Sequence, residues 1–513
     1  MSWTRENLHQ LARDRLADYN LVVVSNREPY MHSRVNGEIE CFQPASGMVS
    51  ALDPVMEACG GVWVAHGSGD ADREVVDANG RIQVPPNDPK FTLRRVWLTA
   101  EQERGYYDGL ANSGLWPLCH ISFTRPVFRP DEWQAYREVN QLFADAVIEE
   151  AGDKPTFVFI QDYHFGLLPR MLKDRNPNLI VAQFWHIPWP NRETFRAFPW
   201  KDELLDGLLA NDLLGFHLRY HCHNFLETVD RAIEALVNVE QSEITRGGHT
   251  TLVRPFPISI DFEEHTQMAA SAEVGRQMER WQKRLELDGM YMGLGIDRID
   301  YTKGIPDRLR ALDHFFEQYP AYRGRLKFVQ IGVPSRTEVP EYKRIDQEID
   351  SVVAQINQKW SCGGWKPIEY IKKHQGPVSM MALHRLANFC IVSSLHDGMN
   401  LVAKEFVASR FDENGALILS QFTGAAAELS EALLVNPFAM DETAEAISRS
   451  IEMPEVEQRR RMQRMRATVA ENNIYRWAAK IVSTLTKFDF PAESEERETW
   501  TPSGSLSMSG RNW

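Results

Sequence analysis

Short apolar, β-branched runs recur along this chain, each trailed by an amphipathic stretch, and then the series begins again. "LVVVSN" (21–26), "TFVFIQD" (156–162), "LIVAQFWH" (179–186) and "DLLGFH" (212–217) form the first series. After "VRPFPISIDFEEH" come "YMGLGIDRID", "RLKFVQIGV", "NFCIVSSLHDG" and "GALILSQFTG". Runs so short and so uniformly apolar suit strands of a parallel sheet, buried on both faces. Intervening sequence such as "EWQAYREVNQLFADAVIEEAG" has the apolar spacing of a covering helix. Two such series, joined near Pro255–Phe262, predict two doubly wound α/β domains facing a cleft. At 513 residues the chain also exceeds one ordinary core.

In doubly wound sheets, ligands sit outside the carboxyl ends of the strands. Asp162, His186, Arg298, Asp397 and the "TGAAAEL" turn each follow an apolar strand candidate directly, so the charged residues fall at the expected cleft. The net charge of −14 speaks against a nucleic-acid surface. No apolar run has the length to span a bilayer, and the charged, amphipathic start "MSWTRENLHQLARDRLADYN" does not read as a signal peptide. Six cysteines without CxxC spacing point to reduced thiols in the cytoplasm. The stretch 491–513 loses all periodicity and reads as a mobile tail.

Three constellations carry possible chemistry. In "GIDRIDYTKGIPDRLRAL" (295–312), Arg298 and Lys303 flank a strand-to-helix turn opened by Gly304 and Pro306. Two cations near a helix start can hold phosphate oxygens, or can be a surface salt-bridge pair. Neither GxxxxGK[ST] nor GxGxxG is present. In "SLHDGMNLVAKEFVAS" (394–409), the amides of Gly398, Met399, Asn400 and Leu401 can face an anion at a helix start. If the helix spans both carboxylates, Glu405 stands roughly 12 Å along the axis from Asp397, a span that suits a sugar at one end and a ribose at the other. The bland alternative is a capping aspartate followed by an exposed glutamate, but Val402, Ala403, Phe406 and Val407 give Glu405 an apolar setting. In "FWHIPWPN" (184–191), His186 follows a strand between stiffening prolines, either as a core histidine or as a polar contact to sugar. "FHLRYHCHNF" sets His217 and His221 at helical i, i+4 spacing with His223 nearby. HExxH and an acidic partner are missing, so no metal site is expected. GxSxG is missing too, which leaves an α/β-hydrolase without support.

Together these segments resemble the trehalose-6-phosphate synthase family, retaining glycosyltransferases of the GT-B fold whose relatives include glucosylglycerol-phosphate synthases. The matching stretches are "VVVSNREP", "YYDGLANSGLWPLCH", "QDYHFGLLP", "FWHIPWPN", "DLLGFH", "DRIDYTKGIPDR", "HDGMNLVAKEF" and "LSQFTGAAAEL", in family order from about residue 21 to 480. The resemblance implies transfer of glucose from UDP-glucose to glucose 6-phosphate, giving trehalose 6-phosphate and UDP, with no cofactor or metal. It divides the chain into an acceptor-binding domain (1–260) and a nucleotide-sugar domain (261–473), with a helix at about 474–490 packing back on the first. Arg298 and Lys303 would grip the donor diphosphate, and Glu405 the ribose. Asp397 and the amides of Gly398, Met399, Asn400 and Leu401 would hold the donor sugar and phosphate. His186 would lie beside the anomeric carbon, and Asp162 would contact the acceptor sugar. Arg27, Tyr107 and Arg336 would hold the acceptor phosphate, Trp116 would wall its pocket, and Gly47, in "PASGMVSAL", would sit on a loop closing over the donor. A homo-oligomer and a separate phosphatase downstream are also implied.

Several positions depart from the family pattern. Gln161 stands where a histidine commonly precedes Asp-Tyr-His, and His396 where an arginine commonly precedes Asp-Gly-Met-Asn. Ser46-Gly47 replaces a glycine pair, His66 lies near a usual tryptophan, and Gln375 replaces an aromatic beside the nucleotide. These changes bear on acceptor and base, so glycerol 3-phosphate is the competing acceptor. A nucleotide-sugar sensor without catalysis and a nucleotide-sugar epimerase are the readings from other classes.

Overall fold

The computed structural model describes residues 3–44 and 47–488, so the stretch 491–513 lies outside the described residues. The apolar runs become strands for the reason their composition gives: both faces are covered. Thr156–Gln161, Ile180–Phe184, Leu213–Phe216 and Ala416–Ser420 are buried at every residue.

Two sheets result. The first has ten strands, in the order Leu236–Asn238, Glu243–Arg246, His249–Pro255, Leu213–Phe216, Ile180–Phe184, Thr156–Gln161, Asn20–Arg27, Val62–His66, Phe91–Val96 and Arg81–Val84. Its central strands run parallel, and antiparallel partners close both edges. The second has six parallel strands, in the order Ile368–Ile371, Leu326–Val333, Tyr291–Arg298, Phe389–Val392, Ala416–Ser420 and Leu433–Val435.

Each sheet reverses its winding once, and those reversals position the site. In the first, the chain winds outward from Asn20–Arg27, then returns to its other side with Thr156–Gln161. Arg27 ends one of these neighbours and Asp162 follows the other. In the second, the reversal falls between Tyr291–Arg298 and Phe389–Val392. Arg298 ends the first of those, and the loop to Asp397 leaves the second. Crevices at such reversals are where doubly wound sheets bind ligands.

The helix Ile474–Leu485 follows the second sheet in sequence yet packs on the helices Arg5–Leu16 and Gly47–Cys59 of the first half. Asn473 Nδ2 donates to the Trp3 carbonyl at 2.7 Å, and Trp477 Nε1 to the Phe256 carbonyl at 3.2 Å. Residues 489 and 490, expected to extend this helix, lie outside the described residues.

Candidate active site

On the second sheet, two strand-end loops are zipped together before any charged side chain is placed. Leu395 N–H donates to the Thr302 carbonyl at 2.7 Å, and Ser393 Oγ donates to the Gly304 carbonyl at 3.1 Å. The fully buried Arg308 braces both loops from beneath, through Ser393 Oγ at 2.9 Å and Asp297 at 2.7 Å. Gly304 turns at φ +61°, and a Cβ there would lie 2.5 Å from the Ser393 carbonyl oxygen. Only glycine fits that turn. Zipping the loops brings Lys303 Nζ to 2.6 Å from Asp397 Oδ2. Ser394 Oγ and Asn400 Nδ2 donate to the same oxygen, each at 3.1 Å. Burial alone would push the Asp397 carboxyl up, but the Lys303 ammonium and these donors hold it well below the usual carboxylate range. Lys303 keeps further protons for a phosphate oxygen, because an ammonium has three donors.

The helix expected to run from Asp397 begins only at Leu401 and ends at Ser409. Asn400, at φ +77°, is the cap, its side chain accepting from Ala403 N–H at 3.3 Å. Asp397 is therefore not a cap, and the 12 Å axial span does not apply: only the four steps from Leu401 to Glu405 climb a helix axis, about 6 Å. The irregular turn leaves the amides of Gly398, Met399, Asn400 and Leu401 without an acceptor among the described residues. Glu405 lies on this helix half-buried, without a hydrogen-bonded partner for its carboxylate among the described residues, and burial raises its pKa.

Across the cleft, Tyr107 lies within a twelve-residue π-helix, Arg104–Leu115, with Trp116 immediately after it. Gly109 lets this wide helix close on Pro130–Ala151, since a Cβ there would meet Glu132 at 2.6 Å. π-helical turns are rare and favour functional sites. The Arg336 guanidinium stands 4.0 Å from the Trp116 ring centre and Arg298 5.8 Å from it. Arg336 is fixed by Tyr342, by Tyr163 Oη at 3.4 Å and by Asp300 at 3.6 Å. Burial pushes the Tyr107 phenol up, but Arg336, Arg27 and Arg298 together bring it below its usual value. The phenol thus feels the positive field of three guanidinia, a setting that suits a dianionic phosphate.

Asp162 follows its strand at φ +73°, with its carboxylate accepting from Tyr163 N–H at 2.9 Å and His186 N–H at 3.2 Å. Burial pushes its pKa up to about 7, against the pull of those amides and of Arg336 and Arg298. His186 meets Gln161 Oε1 through Nε2 at 2.9 Å, and burial holds the imidazole neutral, with a pKa down to about 3. Its carbonyl oxygen lies so close to Gly398 that a Cβ there would approach it to 2.3 Å. The halves of the molecule therefore meet between the histidine of one sheet and the anion-facing turn of the other.

The remaining expectations fall as follows. Gly47 is the first residue of the helix Gly47–Cys59, and Ser46 before it lies outside the described residues. His396 Nδ1–H donates to the His120 carbonyl at 2.8 Å, bridging the halves where an arginine was the family pattern. His66 is buried at a strand end, its pKa down to about 4. Gln375 accepts from Ser379 Oγ at 3.2 Å beside a cavity of about 520 Å³ that Arg284, Tyr370 and Lys373 also line. His217 and His221 do not share a helix: His217 lies before the helix Arg219–Ala232 and His221 within it. Among the described residues, no group of three or more His, Cys, Asp or Glu is placed to hold a metal ion.

Sequence reasoning passed over Asp300 and His164. Asp300 anchors Thr302, Tyr342 and Arg336 in one buried knot. His164 stacks on Tyr107, with ring centres 5.7 Å apart, and both of its buried ring nitrogens lack a partner among the described residues. Its place in "QDYHFGLLP", two residues after Asp162, was the available signal.

Residues 19–487 match the family model for Glycosyltransferase family 20. The chain is 36% identical over 482 residues to a trehalose-6-phosphate synthase of Mycolicibacterium vanbaalenii, covering 92% of this chain and 97% of that one. It is also 36% identical over 490 residues to a bifunctional trehalose-6-phosphate synthase/phosphatase of Thermoproteus tenax, covering 93% of this chain and 65% of that longer one. Among solved structures, one from E. coli bound with UDP-2-fluoro glucose superposes with a TM-score of 0.82 at 30% identity, covering 92% and 99% of the two chains. An alpha,alpha-trehalose-phosphate synthase (UDP-forming) from Burkholderia xenovorans in complex with glucose-6-phosphate gives 0.81 at 28% identity, covering 91% and 100%. The two-sheet α/β architecture is the GT-B fold of those structures, and the chain belongs to glycosyltransferase family 20.

Proposed function

We propose that the protein transfers glucose from UDP-glucose to glucose 6-phosphate, forming trehalose 6-phosphate and UDP with retention at the anomeric carbon. The observation that carries this reading is the pairing of two anion-facing clusters across one cleft. Arg27, Arg336 and Tyr107 suit the phosphate of the acceptor. Arg298, Lys303 and the free amides of Gly398–Leu401 suit the diphosphate of the donor. Relatives bound with UDP-2-fluoro glucose and with glucose-6-phosphate support the substrate pair.

In this reading the bond from glucose C1 to the phosphate oxygen breaks, and its electron pair leaves with UDP. The acceptor hydroxyl bonds C1 on the same face, and its proton passes to the departing phosphate oxygen. Fixed cations and helix-start amides stabilise the charge that builds on the diphosphate. Asp162 orients the acceptor sugar, neutral His186 contacts the donor sugar and Glu405 binds the ribose. No enzyme nucleophile and no metal or other cofactor is called for. In this reading most acceptor contacts fall in residues 1–260 and most donor contacts in 261–473, with Arg336 reaching across to the acceptor phosphate and His186 to the donor sugar. A phosphatase reaction consumes the product, a step that the Thermoproteus tenax relative carries in its name. The same proposal puts the protein in the cytoplasm, consistent with free thiols at Cys119, Cys222 and Cys390 and with no helix among the described residues long and apolar enough to cross a membrane.

The test is UDP release from UDP-glucose with and without glucose 6-phosphate. Release only with the acceptor supports transfer. Turnover of UDP-glucose to another nucleotide sugar without it would mean epimerase chemistry instead.

A further inference from the structure

The segment that joins the two sheets is held on every side. Phe256 N–H donates to the Phe216 carbonyl at 2.7 Å, and Ile474 N–H to the Ile260 carbonyl at 3.0 Å. Between them, the Ile258 peptide is gripped at both ends by side chains from opposite halves. Its N–H donates to His217 Nδ1 at 3.5 Å. Its carbonyl accepts from Lys404 Nζ at 2.7 Å, and Lys404 also pairs with Glu428 at 2.6 Å.

Each gripping residue reaches onward to the site. His217 Nε2 meets the His186 carbonyl at 3.0 Å. One tautomer, neutral with the proton on Nε2, satisfies both of its contacts. Lys404 precedes Glu405 on the helix Leu401–Ser409. Glu428 follows the turn Gly424–Ala427, where a Cβ on Gly424 would lie 2.0 Å from the Gly398 carbonyl oxygen. Gly398 in turn abuts the His186 carbonyl oxygen, at 2.3 Å from a built Cβ. With the short chain segment from Glu428 back to Gly424, the contacts close a ring: His186, His217, Ile258, Lys404, Glu428, Gly424 and Gly398.

We propose that His217 and Lys404 are positioning residues, which hold the His186 loop and the Asp397–Glu405 segment in register through the shared Ile258 peptide. The inference rests on the proposed transfer reaction, because register matters where donor C1 must meet an acceptor hydroxyl. Neither residue contacts substrate in this scheme. Lys404 is a buried cation whose partners are a linker carbonyl and a carboxylate, and His217 is a buried neutral ring whose partners are both backbone groups. Displacing a reacting group by about 1 Å can cost on the order of 100-fold in rate.

The experiment measures kcat and KM for both substrates, with thermal unfolding, in His217→Phe, His217→Gln, Lys404→Met and the His217→Phe/Lys404→Met pair. His217→Phe keeps a ring beside Phe184 and removes both hydrogen bonds, whereas His217→Gln can still donate to the His186 carbonyl. The expected result is a kcat reduced roughly 10- to 100-fold in His217→Phe and Lys404→Met. KM values stay unchanged, His217→Gln regains most of the activity, and the paired variant falls no further than the worse single one, since both act on one peptide. Wild-type kcat in His217→Phe, a loss carried wholly by KM, or losses that multiply in the pair would overturn the assignment. Because Lys404→Met strands the Glu428 carboxylate, the two His217 variants decide the matter if that protein fails to fold. An inactive wild-type protein would instead refute the transfer reading itself.

Discussion

Lys303 and Asp397 follow different strands and meet at 2.6 Å, and the ammonium keeps the buried Asp397 carboxyl ionised. Removing the ammonium leaves a buried carboxylate with two neutral donors and takes one cation from the proposed diphosphate site. Lys303→Ala should lower UDP release by about 100- to 1000-fold, the usual cost of losing a fixed group that stabilises transition-state charge. Steady-state assay under saturating UDP-glucose checks this, and retention of more than a tenth of wild-type kcat would contradict it. Asp162 makes a second prediction, with a definite sign. Its raised pKa of about 7 leaves the carboxyl neutral in acid and ionised in base. In the proposed reaction an ionised Asp162 accepts hydrogen bonds from acceptor hydroxyls, so kcat/KM for the acceptor should rise with pH through an acid limb near 7. In Asp162→Asn the activity should fall and that limb should vanish. A limb unchanged in the variant would assign it to another group, such as the acceptor phosphate.

At the scale of single elements, the turn from Asp397 to Asn400 depends on a glycine that the opposite half abuts. Gly398→Ala places a methyl against the His186 carbonyl oxygen. The turn or the histidine loop must then move, and overpacking of this kind costs about 1–3 kcal/mol. Chemical unfolding should show that loss, together with a larger fall in kcat than in stability-matched variants elsewhere. The elements also show how far the sequence could be read. Strands buried on both faces, such as Thr156–Gln161, announce themselves through composition alone. Phe91–Val96 did not, because it carries Arg94 and Arg95, and charge hides a strand. Arg95 is fully buried, paired with Glu28 at 2.8 Å and Asp72 at 2.9 Å from elsewhere in the chain. The helix in 394–409 was legible, but its start was not: Asn400 caps it at a positive φ that no periodicity reveals. The π-helix Arg104–Leu115, packed on Pro130–Ala151, was likewise unreadable, since no residue spacing in "RGYYDGLANSGL" marks a five-residue hydrogen-bond step. The charged site residues fared better. Strand ends are predictable, and Arg27, Asp162, Arg298 and Asp397 all follow from where strands stop. Pairings between loops, such as Lys303 with Asp397 or Arg336 with Trp116, needed the fold.

For the whole molecule, the two winding reversals are what bring Arg27 and Asp162 of one sheet and Arg298 and Asp397 of the other to one crevice. The linker and the helix Ile474–Leu485 tie the halves, the latter by returning to the first sheet after the second is complete. The central claim is that this crevice joins a glucosyl donor to a phosphorylated sugar. The most direct measurement offers the purified protein UDP-glucose with equal concentrations of glucose 6-phosphate and glycerol 3-phosphate, and identifies the products by mass. The predicted result is UDP in equal amount to a phosphorylated non-reducing disaccharide with the mass of trehalose 6-phosphate. A product carrying glycerol phosphate instead, or no product dependent on either acceptor, would contradict it.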